Sequence, residues 1–590
     1  MIHRVEYPRP HFVRPNWLTL NGEWGFQFDN DNRGLQEEWF KRNAFNSKII
    51  VPFPYQSELS GIHSKEYHPV VWYGRSFHIP QDWVNKRVLL NFNAVDYRST
   101  VWVNGLFVGM NQGGYAAFSF DITDYLSDGE NTITVRVEDY MTTTQPRGKQ
   151  TARTDSWACW YTPVTGIWQS VWLEAVGHTY LHHVKLEPNI DTNTVDVQYW
   201  LNQLHGPVEI RCRVSYKGHE VSTTTVPVDL RYYRFSDITP RLEGSFTLSI
   251  PEAELWSPES PNLYDLEFEV RQGDALLDTV STYVGMRKIS VEDGQVYLNN
   301  APYYLRMVLD QGFWPEGIYT PAAVEDIKHD VKMTKEFGFN GARKHQKFED
   351  PYYYYYCDKL GLLTWCEMAA AYYYDEEVSL NITHEWQRLV VEYYNHPSVM
   401  AWVPINESWG VDQLTHGSSD PRLVHHMSTL YHLTKSIDPT RLVVGNDGWQ
   451  QGLTDIAAIH DYTQDPADLQ NRYARFKADR NSKAFSHGHP TILPGFEYTG
   501  QPIMITEFGG VKVEEQGAEG WGYGDAAADY DEMSERIERL VQVIIDEPEI
   551  CGFCYTQLTD VEQEVNGLMT YDRRLKVKPE KLQAIFQKTR

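Results

Sequence analysis

SVMAWVPINE at 398–407 and PIMITEFGG at 502–510 both run through apolar residues into a glutamate, Glu407 in the first and Glu507 in the second. Outward from them, six more short apolar runs occur after residue 287: YYLRMVLD (303–310), GFNGARKH (338–345), LGLLTWCEM (360–368), RLVVGND (441–447), AAIHDYT (457–463) and CGFCYTQLTD (551–560). Long amphipathic segments separate them, the grammar of parallel βα units whose strands are covered on both faces. Between the first two runs Thr320 predicts an N-cap, with Pro321 at the first helical position and Val324, Ile327 and Val331 at helical spacing. Eight such units over 287–590 predict a C-terminal (β/α)8 TIM barrel, with its longest insertion between the sixth and seventh strands.

Upstream the pattern changes to short alternating strands, among them WYGRSFHIP (72–80), RVLLNFNAV (87–95), NTITVRVED (131–139) and GIWQSVWLEAV (166–176). Alternation with β-branched and aromatic enrichment predicts antiparallel sheets with one wet face, here an N-terminal jelly-roll sandwich over residues 1–178. VDVQYWL (195–201), VEIRCRVSY (208–216), SFTLSI (245–250) and LYDLEFEVR (263–271) predict an immunoglobulin-like β-sandwich over 179–286. The chain is multidomain by length alone, since 590 residues exceed what one core can serve.

A formal charge of −27 with no Lys/Arg run excludes a nucleic-acid partner, which needs a basic face. MIHRVEYPRPHF at the start holds no signal-like apolar stretch, and no window approaches the ~20 apolar residues of a membrane span, so the expected location is cytoplasmic with no membrane partner. Cys159, Cys212, Cys357, Cys366, Cys551 and Cys554 are few for the length and read as structural thiols; the CxxC of Cys551 and Cys554 has no second pair. The tyrosine run at 352–356 reads as core and helix contact.

Catalytic side chains of such barrels sit at the C-terminal ends of strands. Those ends carry Asp310; Arg343 and His345; Glu367; Asn406 and Glu407; Asn446 and Asp447; His460 and Tyr462; Glu507; and Tyr555 with Asp560, more polar groups than strand capping requires. Glu407 and Glu507 close strongly apolar strands, and glycoside hydrolysis needs such a pair: one carboxylic acid for the departing oxygen and one carboxylate on the other face, about 5 Å apart in retaining enzymes. Arg343 can keep one of them ionised, and Asn406 is suited to the sugar 2-hydroxyl. No residues have metal-ligand spacing; sugar hydroxyls explain His345, His460 and Glu367 as well as a metal would, and the reaction needs no cofactor.

NHPSVMAWVPINES (395–408), PIMITEFGG, LNGEWGF (20–26) and ELWSPESPNLY (254–264) resemble the signatures of glycoside hydrolase family 2, the group of β-galactosidases, β-glucuronidases and β-mannosidases, along essentially the whole chain. The resemblance implies an exo-acting retaining β-glycosidase with Glu407 as acid/base and Glu507 as nucleophile. Asp310, Arg343, His345, Asn406, Trp409, Asp447, His460, Tyr462 and Tyr555 are then expected to bind a carbohydrate substrate. Tyr555 stands where family members often have a Trp platform, and Trp314 and Trp409 are expected to stack on sugar.

Family glucuronidases carry an Asn-x-Lys pair just beyond the eighth strand, where this chain reads Glu564-Val565-Asn566-Gly567. Asp560, Glu562 and Glu564, if they face the cleft, would repel a uronate; Lys344 and Lys347, after the second strand, could neutralise a carboxylate from the opposite side of the pocket, but read more plainly as solvated surface lysines. The expected substrate is therefore a β-D-galactoside, with a uronide (β-glucuronide or β-galacturonide) or an α-L-arabinoside as alternatives. ARKHQKFEDP (342–351) departs from the Arg-x-Ser-His-Tyr-Pro form of many members, which leaves the role of His345 open. Rival classes are a non-catalytic carbohydrate-binding protein, a transglycosidase and a barrel metallohydrolase. A loop of the jelly roll, or a neighbouring subunit of a homo-oligomer, could close the site.

Overall fold

In the computed structural model the described residues are 3–42, 45–228, 242–485, 488–513 and 520–588. The alternating strands of the first segment form two antiparallel sheets. One orders Trp17–Thr19, Val171–Val176, Arg87–Phe92 and Phe118–Asp121; the other is six-stranded and centred on Val70–His78 and Glu130–Glu138. Trp24, Phe26, Tyr73, Leu90, Phe92, Val101, Ile133 and Val135 fill the space between them. A second sandwich follows, with three strands from Leu181–Asn189 to Glu243–Ser249 facing four from Val208–Tyr216 to Ala275–Val284 over a core that includes Val195, Val197, Cys212, Leu266 and Phe268.

The C-terminal strands are β1 (Leu305–Asp310), β2 (Gly341–Lys344), β3 (Leu363–Glu367), β4 (Val399–Val403), β5 (Leu442–Val443), β6 (Ala457–Asp461), β7 (Ile503–Gly509) and β8 (Ile550–Thr556). They pair in the order β5-β4-β3-β2-β1-β8-β7-β6, with parallel ladders. Where no ladder links β5 to β6, side chains join the backbone bond from Asp455 N to Val443 O at 2.8 Å in making the link. Val443 N donates to Asp455 Oδ2 at 2.7 Å, and the Gln451 carboxamide bonds both the N–H and the carbonyl of Ala458. The connection from β5 to β6 has no helix among the described residues, so the eight expected βα units are seven.

Helices begin where aspartates cap them: Asp350, Asp375, Asp420, Asp465 and Asp529 each accept a bond from a first-turn N–H, and three of these caps precede a proline at N1. The expected cap at Thr320 is corrected. The first barrel helix is Val324–Glu336, Asp326 accepts from Ala323 N at 2.9 Å, and the buried Thr320 hydroxyl instead bonds Trp168 O of the jelly roll at 2.5 Å.

A jelly-roll excursion, residues 139–165, lies across the C-terminal mouth of the barrel. Arg147 N and Gly148 N both donate to Ala370 O, at 2.9 and 3.0 Å, in the loop after β3. On the other side the loop after β8 holds it: Gln563 Nε2 donates to Ala158 O at 2.7 Å, and the Glu562 carboxylate accepts from Thr162 N at 3.2 Å. Gly148 sits at φ +59 with space for its missing Cβ only 2.3 Å from Gln346 O, so only glycine allows this approach. Gly148→Ala should push the excursion off the rim and cost ~2 kcal/mol. A thermal melt and an activity assay check this; an unchanged melting temperature with full activity would contradict the close fit.

Candidate active site

Because all eight strands run in parallel, their C-terminal ends meet at one mouth. Arg343, the third residue of β2, lies fully buried there. Its Nη1 donates to Glu507 Oε1 at 2.8 Å and to Thr506 O at 2.9 Å, its Nη2 to Asn406 Oδ1 at 2.6 Å, and its Nε contacts Asp447 Oδ2 at 3.0 Å and also Glu367. His460, from β6, sits between the two glutamates, with Nδ1 2.8 Å from Glu407 Oε1 and 3.3 Å from Glu507 Oε2 and Nε2 3.3 Å from Asp447. One carboxylate oxygen of Glu407, one of Glu507 and a His460 nitrogen all lie within 4.8 Å of one another.

These contacts set the charges. Burial opposes ionisation of Glu507, but the cations of His460 and Arg343 and a 2.5 Å hydrogen bond from Tyr462 Oη overcome it and hold the carboxyl at about 2. Burial also opposes the charged His460, yet Glu507, Asp447 and Glu407 raise it to about 9. Glu507 is thus a carboxylate and His460 an imidazolium at neutral pH. The cluster of Glu407, His460 and Glu507 is close enough to share a metal ion, and the imidazolium itself also places a cation between the two carboxylates. Burial and neighbouring carboxylates push Glu367 up to about 7, while burial and the Lys149 and Arg343 cations hold His345, 2.8 Å from Glu367, well below the usual imidazole range.

The segment bearing Glu407 is bent to aim it. Glu407 and Ser408 take left-handed φ of 49 and 58, unusual for residues with a Cβ. Bonds from the β5 side keep them so: Glu407 N to Asp447 O at 2.9 Å, Ser408 N to Asn446 Oδ1 at 2.8 Å, and Asn446 Nδ2 to Ser408 Oγ at 2.9 Å.

The cleft is lined by Lys149, Cys159, Trp160, Leu309, Gln311, His345, Glu407, Trp409, Tyr462, Glu507, Tyr523, Thr556 and Glu564. Of the residues expected from the sequence, it brings together Glu407, Glu507, His345, Trp409 and Tyr462, while Arg343, Asn406, Asp447 and His460 stand behind them in direct contact. Among the described residues the buried Nδ2 of Asn406 has no hydrogen-bond partner. Three expectations are corrected. Asp310 points away from the cleft and binds Lys344 Nζ at 2.9 Å. Tyr555 is fully buried against Phe508 and Phe586, on the helix side of β8; the next residue, Thr556, reaches the cleft. Trp314 packs in the core under the Arg573 guanidinium, 3.9 Å from the ring centre.

The expected surface lysines are also corrected: Lys344 and Lys347 are each 1% exposed and share Glu349, at 2.7 and 3.0 Å. Of the three carboxylates expected to repel a uronate, Glu564 alone lines the cleft. Asp560 pairs with Lys576 at 2.6 Å and Glu562 accepts from Thr162 N. Sequence reasoning missed Lys149, Cys159, Trp160 and Tyr523. Cys159, read as structural, faces the cleft, and Tyr523 stacks on Tyr462 with ring centres 3.3 Å apart. For Lys149, Cys159 and Trp160 the one sequence signal was the aromatic and cationic density of KQTARTDSWACWYT (149–162), far from any barrel strand.

The raised pKa of His460 has a sign. Relative to an unfolded value near 6.5, its charged form stabilises the fold fully below about pH 6.5, and that contribution is lost as pH rises through about 9. Activity is expected to fall over the same alkaline limb, because Glu507 loses a cation. In His460→Gln the rate should drop ~100-fold and the limb near pH 9 should vanish from the kcat profile; a limb that persists unchanged would assign it to another group.

Three family descriptions match consecutive stretches: "Glycosyl hydrolases family 2, sugar binding domain" at 18–176, "Glycosyl hydrolases family 2" at 179–287 and "Glycosyl hydrolases family 2, TIM barrel domain" at 289–589. Among curated relatives, a β-galactosidase of Leuconostoc mesenteroides is 27% identical over 536 residues, 83% of this chain and 47% of its own. A putative β-glucuronidase of Formosa agariphila is 26% identical over 63% of this chain and 44% of its own, and the β-glucuronidase of Rattus norvegicus 25% over 72% and 67%. The chain spans about half the length of the first of these relatives. In fold it is similar to the β-glucuronidase of Ruminococcus gnavus, with a TM-score of 0.77 at 19% identity, covering 99% of this chain and 100% of that one. It is similar also to the β-glucuronidase of Bacteroides uniformis, with a TM-score of 0.77 at 22% identity over 97% and 69%. With its three consecutive domains all matched, and the barrel match alone spanning residues 289–589, the chain belongs to glycosyl hydrolases family 2.

Proposed function

We propose that this chain is a retaining exo-β-glycosidase that removes a terminal non-reducing sugar by double displacement. The observation that carries the reading is the approach of Glu407 and Glu507 oxygens within 4.8 Å, a separation suited to retention and too short to seat both the sugar and an attacking water between them. Glu507, ionised between Arg343 and His460, attacks the anomeric carbon as the bond to the departing oxygen breaks. Glu407 gives that oxygen its proton. In the second half Glu407 takes a proton from water, whose oxygen attacks the same carbon and releases Glu507. The Asn406 amide, fixed by Arg343 and with Nδ2 unpartnered among the described residues, suits the 2-hydroxyl, whose bond strengthens as the ring becomes oxocarbenium-like. The excursion at 139–165 walls the mouth, which favours a chain end over a chain interior.

For the glycone, the missing lysine after β8 supports a β-D-galactoside, and Lys149 in the cleft supports an acidic β-glycoside, the reading that has a side chain in the cleft behind it. The names of the relatives, β-galactosidase and β-glucuronidase, agree with either.

Glu507→Gln should lower kcat at least ~10⁴-fold. Glu407→Ala should retain activity on aryl glycosides with very good leaving groups, which need little acid assistance, and lose it on alkyl glycosides. Equal losses of Glu407→Ala across leaving groups would sink the acid/base assignment.

A further inference from the structure

The chain buries several lysines, and their surroundings differ. Lys344 has Asp310 and Glu349 at 2.9 and 2.7 Å, Lys347 has Glu349 at 3.0 Å, and Lys576 has Asp560 at 2.6 Å. Lys149 is 7% exposed and, among the described residues, has no carboxylate oxygen within 4.0 Å; its nearest polar partner is Cys159 Sγ at 3.6 Å, with the Trp160 ring centre 5.6 Å away. Yet Lys149 alone of these four lines the cleft. Glu407 and Glu507 favour its charge from beyond 4.0 Å but make no ion pair with it, so the ammonium stays charged with donors open to an anion brought by substrate.

Lys149 is also held in place. It follows Gly148, which is pressed against Gln346 O, and Lys149 O accepts from Tyr161 N at 2.8 Å, so its backbone is tied at both ends to the barrel rim and the excursion. The nucleophile does not need this cation, since Arg343 and His460 already contact it. The one carboxyl on the β8 side of the cleft, Glu564, is engaged by the Tyr161 hydroxyl and by Asn566 Nδ2 at 2.9 Å, and burial raises it to about 7, so it can hold a proton beside an anionic group.

We propose that Lys149, supplied by the jelly roll and not by the barrel, pairs with a carboxylate on the sugar, so that the glycone selected by this cleft is a uronic acid. The inference rests on the reading of the cleft as a glycosidase site and deepens it. Truncating one partner of a desolvated ion pair of this kind costs a large factor in affinity, while a neutral sugar forfeits only a hydrogen bond.

The test is kcat/KM of wild type, Lys149→Gln, Lys149→Arg and Glu507→Gln on 4-nitrophenyl β-galacturonide, β-glucuronide and β-galactoside. Wild type should favour one of the uronides over the galactoside by at least ~100-fold, and Lys149→Gln should shrink that preference by ~100-fold, with partial recovery in Lys149→Arg. A wild type that favours the galactoside overturns the proposal, and so do equal losses of Lys149→Gln on acid and neutral sugars. The wild-type ratio requires no variant to fold and decides by itself if Lys149→Gln is unstable. Loss of all activity in Glu507→Gln alongside an unmoved ratio would remove Lys149 and keep the double displacement; activity surviving in Glu507→Gln would remove the double displacement and leave the ratio to judge Lys149.

Discussion

The site depends on one buried cation. Arg343 contacts carboxylates from the ends of β3 and β7 and from the turn after β5, and it fixes the amide that precedes Glu407. Burying a guanidinium costs several kcal/mol unless every donor direction is answered. The answers come from separate strands, so the ion pair forms only when the barrel closes in register. The same requirement explains why the neighbouring charges take different states: with Arg343 and His460 on one side, Glu507 stays ionised, while Glu367 is driven towards protonation.

The barrel supplies the charges, and the jelly roll supplies the wall. The excursion at 139–165 is held by loops after β3 and β8, and it carries Lys149, Cys159 and Trp160 into a cleft whose other side is Trp409, Tyr462 and Tyr523. Trp160 Nε1 donates to Tyr372 Oη at 2.6 Å, and its ring meets Trp409 edge-on, so the two domains build one continuous aromatic surface. The jelly roll thus adds side chains to a cleft whose two facing glutamates both come from the barrel.

The architecture was legible because strand period and helix period leave different traces, and because parallel strands deliver their last residues to one place. That rule found Glu407, Glu507, Arg343, His460 and Asn406. It failed at Tyr555, where a single step along β8 turns the side chain from cleft to core, and strand ends carry no mark of which step faces inward. Asp310 and Trp314 failed for a related reason: their partners, Lys344 and Arg573, are distant in sequence and claim them for structure. Lys149 and Tyr523 lie in segments without periodicity: Lys149 reaches the cleft only because the jelly-roll excursion is tied to the barrel rim, and Tyr523 only by stacking on Tyr462 from the long connection after β7. The missing helix between β5 and β6 was hidden because Asp455 and Gln451 join the two strands directly, by side-chain bonds and the backbone bond from Asp455 N to Val443 O.

The most direct measurement of the central claim is the stereochemistry of the first-formed product, followed by proton NMR during hydrolysis of an accepted aryl β-glycoside by wild type. Two carboxylates this close act by double displacement, so the account predicts that the β-anomer appears first and then mutarotates. First appearance of the α-anomer would mean a single displacement by water and would contradict Glu507 as nucleophile and Glu407 as acid/base.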